Sequence, residues 1–344
     1  MENLYDYSIS CPNLILEIVE FFSINNVPKS EQNVISPRRI IDFMSHYNMK
    51  YASTKPPQPR ILTKICDKLC EMNFLIAVGK GFSELDNTYL RTVDDKWSFK
   101  KTEERKIAIQ KYECAVFGFP YIYNRFRSLV VPIVYYDKKG DITIGTGFRW
   151  LNGIATAKHC LDGAKQIAIS GIAKEQLETA PIYISENPNM DIAFIELKLE
   201  WSKILENMML WNDGVPEVME EVITMGYPKI PGFTHFQTVE KATISAIPEK
   251  RFTATVGEVA AIAEEIWMKE NVFLITAKIK GGNSGGPVIN KYGEVIGIVS
   301  EIPFAEGSYD DLGYGTAIPI KFLSEIISSP SKSLSGVKFV DYEG

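Results

Sequence analysis

The stretch Gly281-Gly282-Asn283-Ser284-Gly285-Gly286-Pro287-Val288 decides the fold of the chain around it. The apolar run from Val272 to Ile279 leads into it, and Val288-Ile289 resumes the strand pattern. Glycine permits positive φ angles and close backbone approach, so this turn can present one serine at its tip. The N–H groups of Gly282 and Ser284 can then point at one spot, which is the geometry of an oxyanion hole. The alternative is a plain tight hairpin, because Gly-Gly and Asn-Ser pairs are ordinary turn residues.

A nucleophilic serine needs a base, and the base needs a third group that orients it. The chain has three histidines, and one of them, His159, lies near the end of a short β-like segment that runs from Ile154 to Cys160. Asp191 opens another apolar segment, which runs to Leu197. We therefore predict that His159 and Asp191 are the partners of Ser284.

Four motifs carry a resemblance to a known family. Gly-Thr-Gly-Phe at 145–148, Thr-Ala-Lys-His-Cys at 156–160, Asp-Ile-Ala-Phe-Ile at 191–195 and Gly-Asn-Ser-Gly-Gly-Pro at 282–287 resemble the successive motifs of trypsin-like (chymotrypsin-fold) serine proteases. They are most similar to the Deg/HtrA-type branch. The order His, Asp, Ser is also that of the chymotrypsin fold.

The resemblance implies a double antiparallel β-barrel with the active site in the cleft between the barrels. His159, Asp191 and Ser284 would be the catalytic residues, and the N–H groups of Gly282 and Ser284 would form the oxyanion hole. It implies no metal and no organic cofactor.

The region 128–330 is predicted to be this trypsin-like serine protease domain, since many short strands alternate with turns. The predicted strands are 129–136, 142–150, 152–157, 191–197, 221–226, 236–245, 272–279, 286–290, 294–300 and 313–319. A helical stretch is predicted at Val256 to Lys269, and a closing helix at 321–327. Residues 331–344 are assigned to a C-terminal tail, with no PDZ domain expected.

Two registers stay open for the specificity pocket that the resemblance implies. If Lys278, six residues before the serine, lies at the pocket floor, it favours an acidic residue before the scissile bond, because an unpaired buried charge is costly. If Ile279 faces the pocket, as in the Deg/HtrA branch, a small or medium aliphatic residue is favoured. The other residues assigned to the pocket are Ser300, Glu301, Gly313 and Gly315.

Residues 1–100 hold three helical patterns followed by a hairpin pattern. Ser36-Pro37 is predicted to cap a helix from Arg38 to Tyr47, and Pro59 to open the third helix. This order resembles a winged helix-turn-helix domain. Residues 101–127 are predicted to connect it to the protease domain.

Basic residues in this N-terminal region suggest a partner. They are Arg38, Arg39, Arg60, Lys64 and Lys68. One hypothesis is that the third helix enters a DNA major groove while these residues bind phosphates. The other is that they form the solvated face of a winged helix that binds a regulatory protein.

Composition sets the outer bounds. A chain of 344 residues with 45% hydrophobic and 23% charged residues fits an ordinary globular protein of about two domains. The net charge of −6 argues against a polybasic nucleic-acid binder as a whole. No apolar run approaches the ~18 residues of a membrane span.

The cysteines and the N-terminus predict the compartment. Five cysteines at irregular spacing do not form a disulfide framework. The acidic start of the chain lacks the basic region of a signal peptide. We therefore expect a cytoplasmic location with reduced thiols.

The sequence thus predicts a multidomain α and β protein: a winged-helix-like domain followed by a chymotrypsin-like serine endopeptidase that hydrolyses proteins or peptides. Two alternatives stay open. The chain could be a DNA-binding regulator with a triggered or inactive protease domain, or a signalling or defence protease activated by a partner protein.

Overall fold

In the computed structural model, the chain divides into two units, Met1–Ile122 and Tyr123–Gly344. This division falls inside the predicted connector. The structure describes residues 4–23, 37–52, 56–91, 102–136, 139–197, 211–229, 236–239, 243–246, 252–265, 269–300, 313–330 and 332–342.

Helices dominate the described part of the first unit. They are α1 (Leu4–Ser10), α2 (Leu14–Phe21), α3 (Ile40–Lys50), α4 (Pro59–Glu71) and α5 (Thr102–Phe117), while α6 (Phe119–Phe126) crosses the division. Its strands are β1 (Arg38–Arg39), β2 (Leu75–Gly79) and β3 (Thr88–Arg91), which form an antiparallel sheet in the order β1-β3-β2.

The first unit's core lies between its helices and this sheet. Helices α2, α3 and α4 bury one apolar stripe each, and Ile18, Phe43 and Ile65 are fully enclosed. Pro59 occupies the start of α4, which confirms that predicted helix start. The three predicted helices, α2 to α4, and the hairpin are therefore present in the predicted order, after the additional helix α1. Their assignment as a winged-helix domain stays a prediction.

The predicted start of the second helix is wrong. Arg38 and Arg39 are extended and pair with Tyr89 and Thr88 of β3, so α3 begins only at Ile40. Asp42 accepts the backbone N–H of Arg39 and thereby caps the helix. The strand pairing outweighs the local helical signal of Pro37, which lies three residues before the first residue of α3.

Strands dominate the second unit. They are β4 (Val130–Tyr136), β5 (Ile142–Trp150), β6 (Gly153–Thr156), β7 (Ile167–Ile169), β8 (Ile182–Ile184), β9 (Ala193–Glu196), β10 (Asn212–Asp213), β11 (Glu221–Gly226), β12 (Phe236–Val239), β13 (Thr243–Ala246), β14 (Thr253–Glu265), β15 (Glu270–Ile275), β16 (Pro287–Asn290), β17 (Glu294–Ser300), β18 (Gly315–Pro319) and β19 (Lys332–Ser333). Two helices accompany them, α7 (Lys174–Glu178) and α8 (Lys321–Ser328). Strands β5, β11 and β17 have the predicted bounds, and α8 matches the predicted closing helix.

Two large sheets organise the described strands of this unit. The first has the order β19-β8-β9-β6-β5-β4-β7, and the second the order β10-β17-β16-β11-β14-β15-β18. Strands β17 and β18 also pair, which closes the second sheet on itself. Each sheet encloses its own apolar cluster, built around residues such as Ile154 and Ile195 in the first and Phe273 and Val288 in the second. Closed sheets with filled interiors are β-barrels.

The C-terminal segment closes the first barrel. Strand β19 pairs with β8, and Phe339 forms an isolated bridge with Ile167 of β7. Phe339 is 2% exposed and belongs to the first apolar cluster. The residues assigned to a C-terminal tail are therefore, where described, a structural part of the barrel.

Two further predictions fail because tertiary pairing outweighs local composition. The predicted helix Val256–Lys269 lies mostly in β14, a strand paired with β11 on one side and β15 on the other. Its alanines and glutamates favour a helix locally, but two neighbouring strands satisfy its backbone as a sheet. The predicted strand 236–245 contains two antiparallel strands, β12 and β13, instead of one.

We predict that Phe339→Ala lowers the free energy of unfolding by about 3–5 kcal/mol, because it leaves a cavity in the first barrel. Urea denaturation of the whole chain measures this change. The control is Lys338→Ala, an exposed neighbour whose substitution should stay within about 0.5 kcal/mol. Equal stability of the two variants would contradict the closing role of the C-terminal segment.

Candidate active site

His159 and Asp191 meet because their strands are antiparallel neighbours. Strand β6 ends at Thr156, which pairs with Ala193 at the start of β9. The chain leaves β6 through a short 3₁₀ turn that contains His159, and it enters β9 just after Asp191. Both residues therefore lie at the same end of the sheet, although 32 positions separate them.

Asp191 holds His159 at two points. Its Oδ2 lies 2.7 Å from Nδ1 of the imidazole, and its Oδ1 accepts the backbone N–H of His159 at 2.8 Å. The Asp191 side chain is 14% exposed and the His159 side chain 35%. This arrangement fixes the ring plane and leaves Nε2 as the imidazole nitrogen that does not face Asp191.

Ser300, which the sequence assigns to the specificity pocket, contacts this pair instead. Its Oγ donates a hydrogen bond of 2.7 Å to Asp191 Oδ2. Because Ser300 ends β17 of the second barrel, the bond links the two barrels at the carboxylate. A serine at the end of a strand gives no sequence signal for this contact.

Burial, charge and hydrogen bonds together shift the pKa values of His159 and Asp191 in opposite directions. Burial alone lowers the pKa of His159, but its interactions with Cys160 and with the hydrogen-bonded Asp191 carboxylate raise it above its ordinary value. Burial raises the pKa of Asp191, yet hydrogen bonds from His159 and Ser300 and the charge of His159 bring it below its ordinary value. The carboxylate is therefore ionised next to the imidazole.

The serine loop joins β15 to β16, and Ser284 is 3% exposed there. The carbonyl of Gly281 accepts the N–H of Lys229 at 2.7 Å, and the carbonyl of Asn283 accepts the N–H of Gly286 at 2.9 Å. A planar trans peptide points its C=O and N–H in opposite directions. The N–H groups of Gly282 and Ser284 are thus turned away from these carbonyls, and no backbone carbonyl of the described residues accepts them.

The backbone of Ser284 lies against the segment that carries His159. Cys160, the next residue, points its thiol at the Ser284 carbonyl at a distance of 3.8 Å. The N–H of Thr146 donates to the same carbonyl at 2.9 Å. The structure therefore brings all three predicted catalytic residues to the junction of the two barrels.

The residues assigned to the specificity pocket differ in exposure. Lys278 is exposed, whereas Ile279 is half-buried, packs on the second apolar cluster and occupies the space where a Cβ on Gly315 would lie. Gly313 has a φ of 77°. Glu301 lies outside the described residues.

Three of the five residues predicted to contact DNA are bonded to other residues of the first unit. Arg38 bonds to the Phe21 carbonyl, and Lys68 bonds to the Val116 carbonyl. Arg39 forms an ion pair of 3.1 Å with Asp42. Arg60 and Lys64 are exposed one helical turn apart on α4.

Three further findings concern the described residues. They contain no cluster of His, Cys, Asp or Glu side chains that could hold a metal. All five cysteines are described and carry free thiols. None of the described helices combines the length and apolar character needed to cross a membrane.

Residues 145–298 match the family model of the trypsin-like peptidase domain. The chain is 30% identical over 175 residues to a probable periplasmic serine endoprotease DegP-like of Buchnera aphidicola subsp. Baizongia pistaciae, covering 50% of this chain and 32% of that protein. It is 29% identical over 175 residues to the serine protease Do-like HtrB of Bacillus subtilis, covering 51% and 34%. The chain thus spans about a third of the length of these relatives.

Among solved structures, the chain resembles the active form of the Rv3671c protease from M. tuberculosis. The TM-score is 0.44 at 20% identity, over 63% of this chain and 86% of that one.

Together, the domain match and the curated relatives support a Deg/HtrA-like serine endopeptidase. They do not support a DNA partner. The DegP-like relatives are named as periplasmic proteins, in contrast to the cytoplasmic location predicted for this chain.

We predict that His159 titrates above its ordinary pKa of about 6.5 and that Asp191→Asn lowers this pKa. Without the carboxylate charge, burial opposes the protonated ring with less compensation. NMR pH titration of the histidine ring protons measures both values. Ser300→Ala is the control, since it keeps the carboxylate and should leave the pKa raised. The same titration midpoint in wild type and Asp191→Asn would contradict the assigned pair.

Proposed function

We propose that residues 123–344 form a serine endopeptidase that cleaves peptide bonds with Ser284, His159 and Asp191. The observation that carries this proposal is the doubly hydrogen-bonded Asp191–His159 pair at the junction where Ser284 lies. The order of the three residues and the domain match support it further.

The chemistry follows from these positions. Ser284 Oγ attacks the carbonyl carbon of the scissile bond while His159 Nε2 takes its proton. The tetrahedral intermediate collapses, His159 donates that proton to the leaving amine, and an acyl-enzyme remains on Ser284. Water then attacks the ester carbonyl by the same route, which releases the acid and restores the serine.

Asp191 has an orienting and electrostatic role. Its carboxylate accepts from Nδ1, which keeps the ring in the tautomer whose Nε2 can accept a proton. Its negative charge also stabilises the imidazolium that forms after the proton transfer. Because the same charge raises the pKa of His159, we expect kcat/KM to rise with pH through a midpoint above about 6.5.

The oxyanion of the intermediate would be held by the N–H groups of Gly282 and Ser284. Neither donates to a carbonyl of the described backbone, so both are available to a substrate oxygen. Preorganised donors of this kind stabilise charge that develops only during the reaction.

We propose a small or medium aliphatic residue before the scissile bond. The half-buried Ile279 packs against Gly315. The Lys278 side chain is exposed, and the Lys278 carbonyl accepts from Thr255 Oγ1 at 2.9 Å. This favours the register with Ile279 facing the pocket. An acidic preference would require the Lys278 ammonium at the floor.

We further propose that the N-terminal unit regulates the peptidase by binding a partner protein. Three residues of the predicted DNA-contact set, Arg38, Arg39 and Lys68, are bonded within the unit, whereas Arg60 and Lys64 are exposed. A gel shift against random duplex DNA over a salt series separates a DNA partner from a protein partner, because binding to DNA phosphates weakens steeply with salt.

We predict that Ser284→Ala, His159→Ala and Asp191→Asn each abolish detectable peptide cleavage without unfolding the chain. Triad members act as one unit, so the triple variant should be little worse than Ser284→Ala alone. Cleavage of a quenched-fluorescent peptide library measures activity, and circular dichroism checks the fold. Clear cleavage by purified Ser284→Ala would refute the nucleophile.

We predict that Ile279→Ala shifts the cleavage preference toward larger apolar residues, because it opens space beside Gly315. Lys278→Ala is the matched control and should leave the preference unchanged. Profiling of cleavage sites in a peptide library measures both. Dominant cleavage after Arg or Lys, or loss of an acidic preference in Lys278→Ala, would contradict this pocket.

A further inference from the structure

Thr146 of β5 contacts the serine loop through both its side chain and its backbone. It is fully buried. Its Oγ1 donates to the Gly282 carbonyl at 2.7 Å and accepts the N–H of Tyr227 at 3.0 Å. Its own N–H donates to the Ser284 carbonyl at 2.9 Å. One residue of the first barrel therefore binds the two carbonyls on either side of Asn283.

The direction of these bonds is determined by chemistry. The N–H of Tyr227 can only donate, so the hydroxyl oxygen of Thr146 must accept from it. A hydroxyl has a single proton, and that proton is then available for the Gly282 carbonyl, which can only accept. Thr156 Oγ1 in turn donates to the Thr146 carbonyl at 2.8 Å, which holds β5 in place.

These bonds hold two peptide planes of the loop that are separated by one other plane. The hydroxyl of Thr146 holds the plane between Gly282 and Asn283, and its backbone holds the plane that follows Ser284. The plane between them carries the N–H of Ser284, one of the two proposed oxyanion donors. Fixing the planes on both sides limits the rotation of this donor and of the Ser284 Cα.

The surroundings of Thr146 leave room for this side chain. A Cβ on Gly226 would lie 2.9 Å from Thr146 Oγ1, and a Cβ on Gly286 would lie 3.3 Å from its Cγ2. Removing the hydroxyl would leave the Gly282 carbonyl and the Tyr227 N–H without their partner in a buried site. Such unmet groups favour rotation of the peptide toward another partner.

We propose that Thr146 is a positioning residue for the oxyanion hole. Its hydroxyl holds the peptide plane between Gly282 and Asn283, so that the N–H groups of Gly282 and Ser284 face the reacting carbonyl. The inference rests on the proposed peptidase function for its effect on the reaction. The hydrogen-bonded loop geometry itself does not depend on that function.

The test compares three variants of the full chain. Thr146→Val keeps the shape and removes the hydroxyl, Thr146→Ser keeps the hydroxyl, and Thr146→Cys keeps a weaker donor. Thr224→Val is the matched control, because it removes another buried threonine hydroxyl, bonded to Thr255 at 2.9 Å. The readouts are kcat and KM on a peptide, the Ki of a peptide boronic acid, and amide hydrogen exchange of residues 280–286.

A peptide boronic acid forms a tetrahedral adduct with the serine, so its affinity reports the oxyanion hole. We expect Thr146→Val to lower kcat and boronate affinity by about 10–100-fold while KM changes by less than about 3-fold. Thr146→Ser should restore both to within about 3-fold of wild type. Thr224→Val should retain the wild-type boronate affinity. Exchange of the loop amides should be faster in Thr146→Val and unchanged in Thr146→Ser.

A Thr146→Val variant with wild-type kcat, or with a changed KM alone, would overturn the proposal. So would equal loop exchange in wild type, Thr146→Val and Thr146→Ser. If Thr146→Val does not fold, Thr146→Cys decides by the same measurements, with an intermediate loss expected. If the wild type cleaves no peptide and binds no boronate, the proposed function fails, and loop exchange alone decides whether the Thr146 hydroxyl holds the loop.

Discussion

The close approach of the serine loop to neighbouring backbone is the constraint on which the junction of the two barrels depends. Gly282 and Gly285 have φ angles of 100° and 87°, a region that side chains rarely adopt. A Cβ on Gly285 would meet the Thr146 carbonyl, and a Cβ on Gly282 would meet the Tyr227 carbonyl. Any side chain at either position would push the loop away from β5 or from β11 and its continuation.

Buried polar contacts then align the groups that this close approach brings together. Asp191 of the first barrel receives bonds from His159 on its own side and from Ser300 on the other. Thr146 reaches the serine loop in the opposite direction, from the first barrel to the second. A buried polar group is costly unless it is bonded, so the Ser300–Asp191 and Thr146–Gly282 contacts penalise displacement of one barrel from the other.

Much of the fold could be predicted where local chemistry and tertiary environment agree. Pro59 starts a helix because a first-turn proline loses no hydrogen bond, and β5, β11 and β17 carry enough β-branched residues to be recognised. Prediction failed where they conflict. Arg38-Arg39 and residues 256–265 became strands because neighbouring strands offered their backbones partners that no local pattern reveals.

The chemical groups of the candidate site were already evident in the sequence: a serine within a glycine turn, a histidine after one strand and an aspartate before another. Which groups support them depends on the tertiary structure. The Ser300 bond to Asp191, the Thr146 bond to Gly282 and the closure of the first barrel by Phe339 all join residues more than 100 positions apart. Such contacts depend on strand register and on the packing of two barrels, which no spacing along the chain encodes.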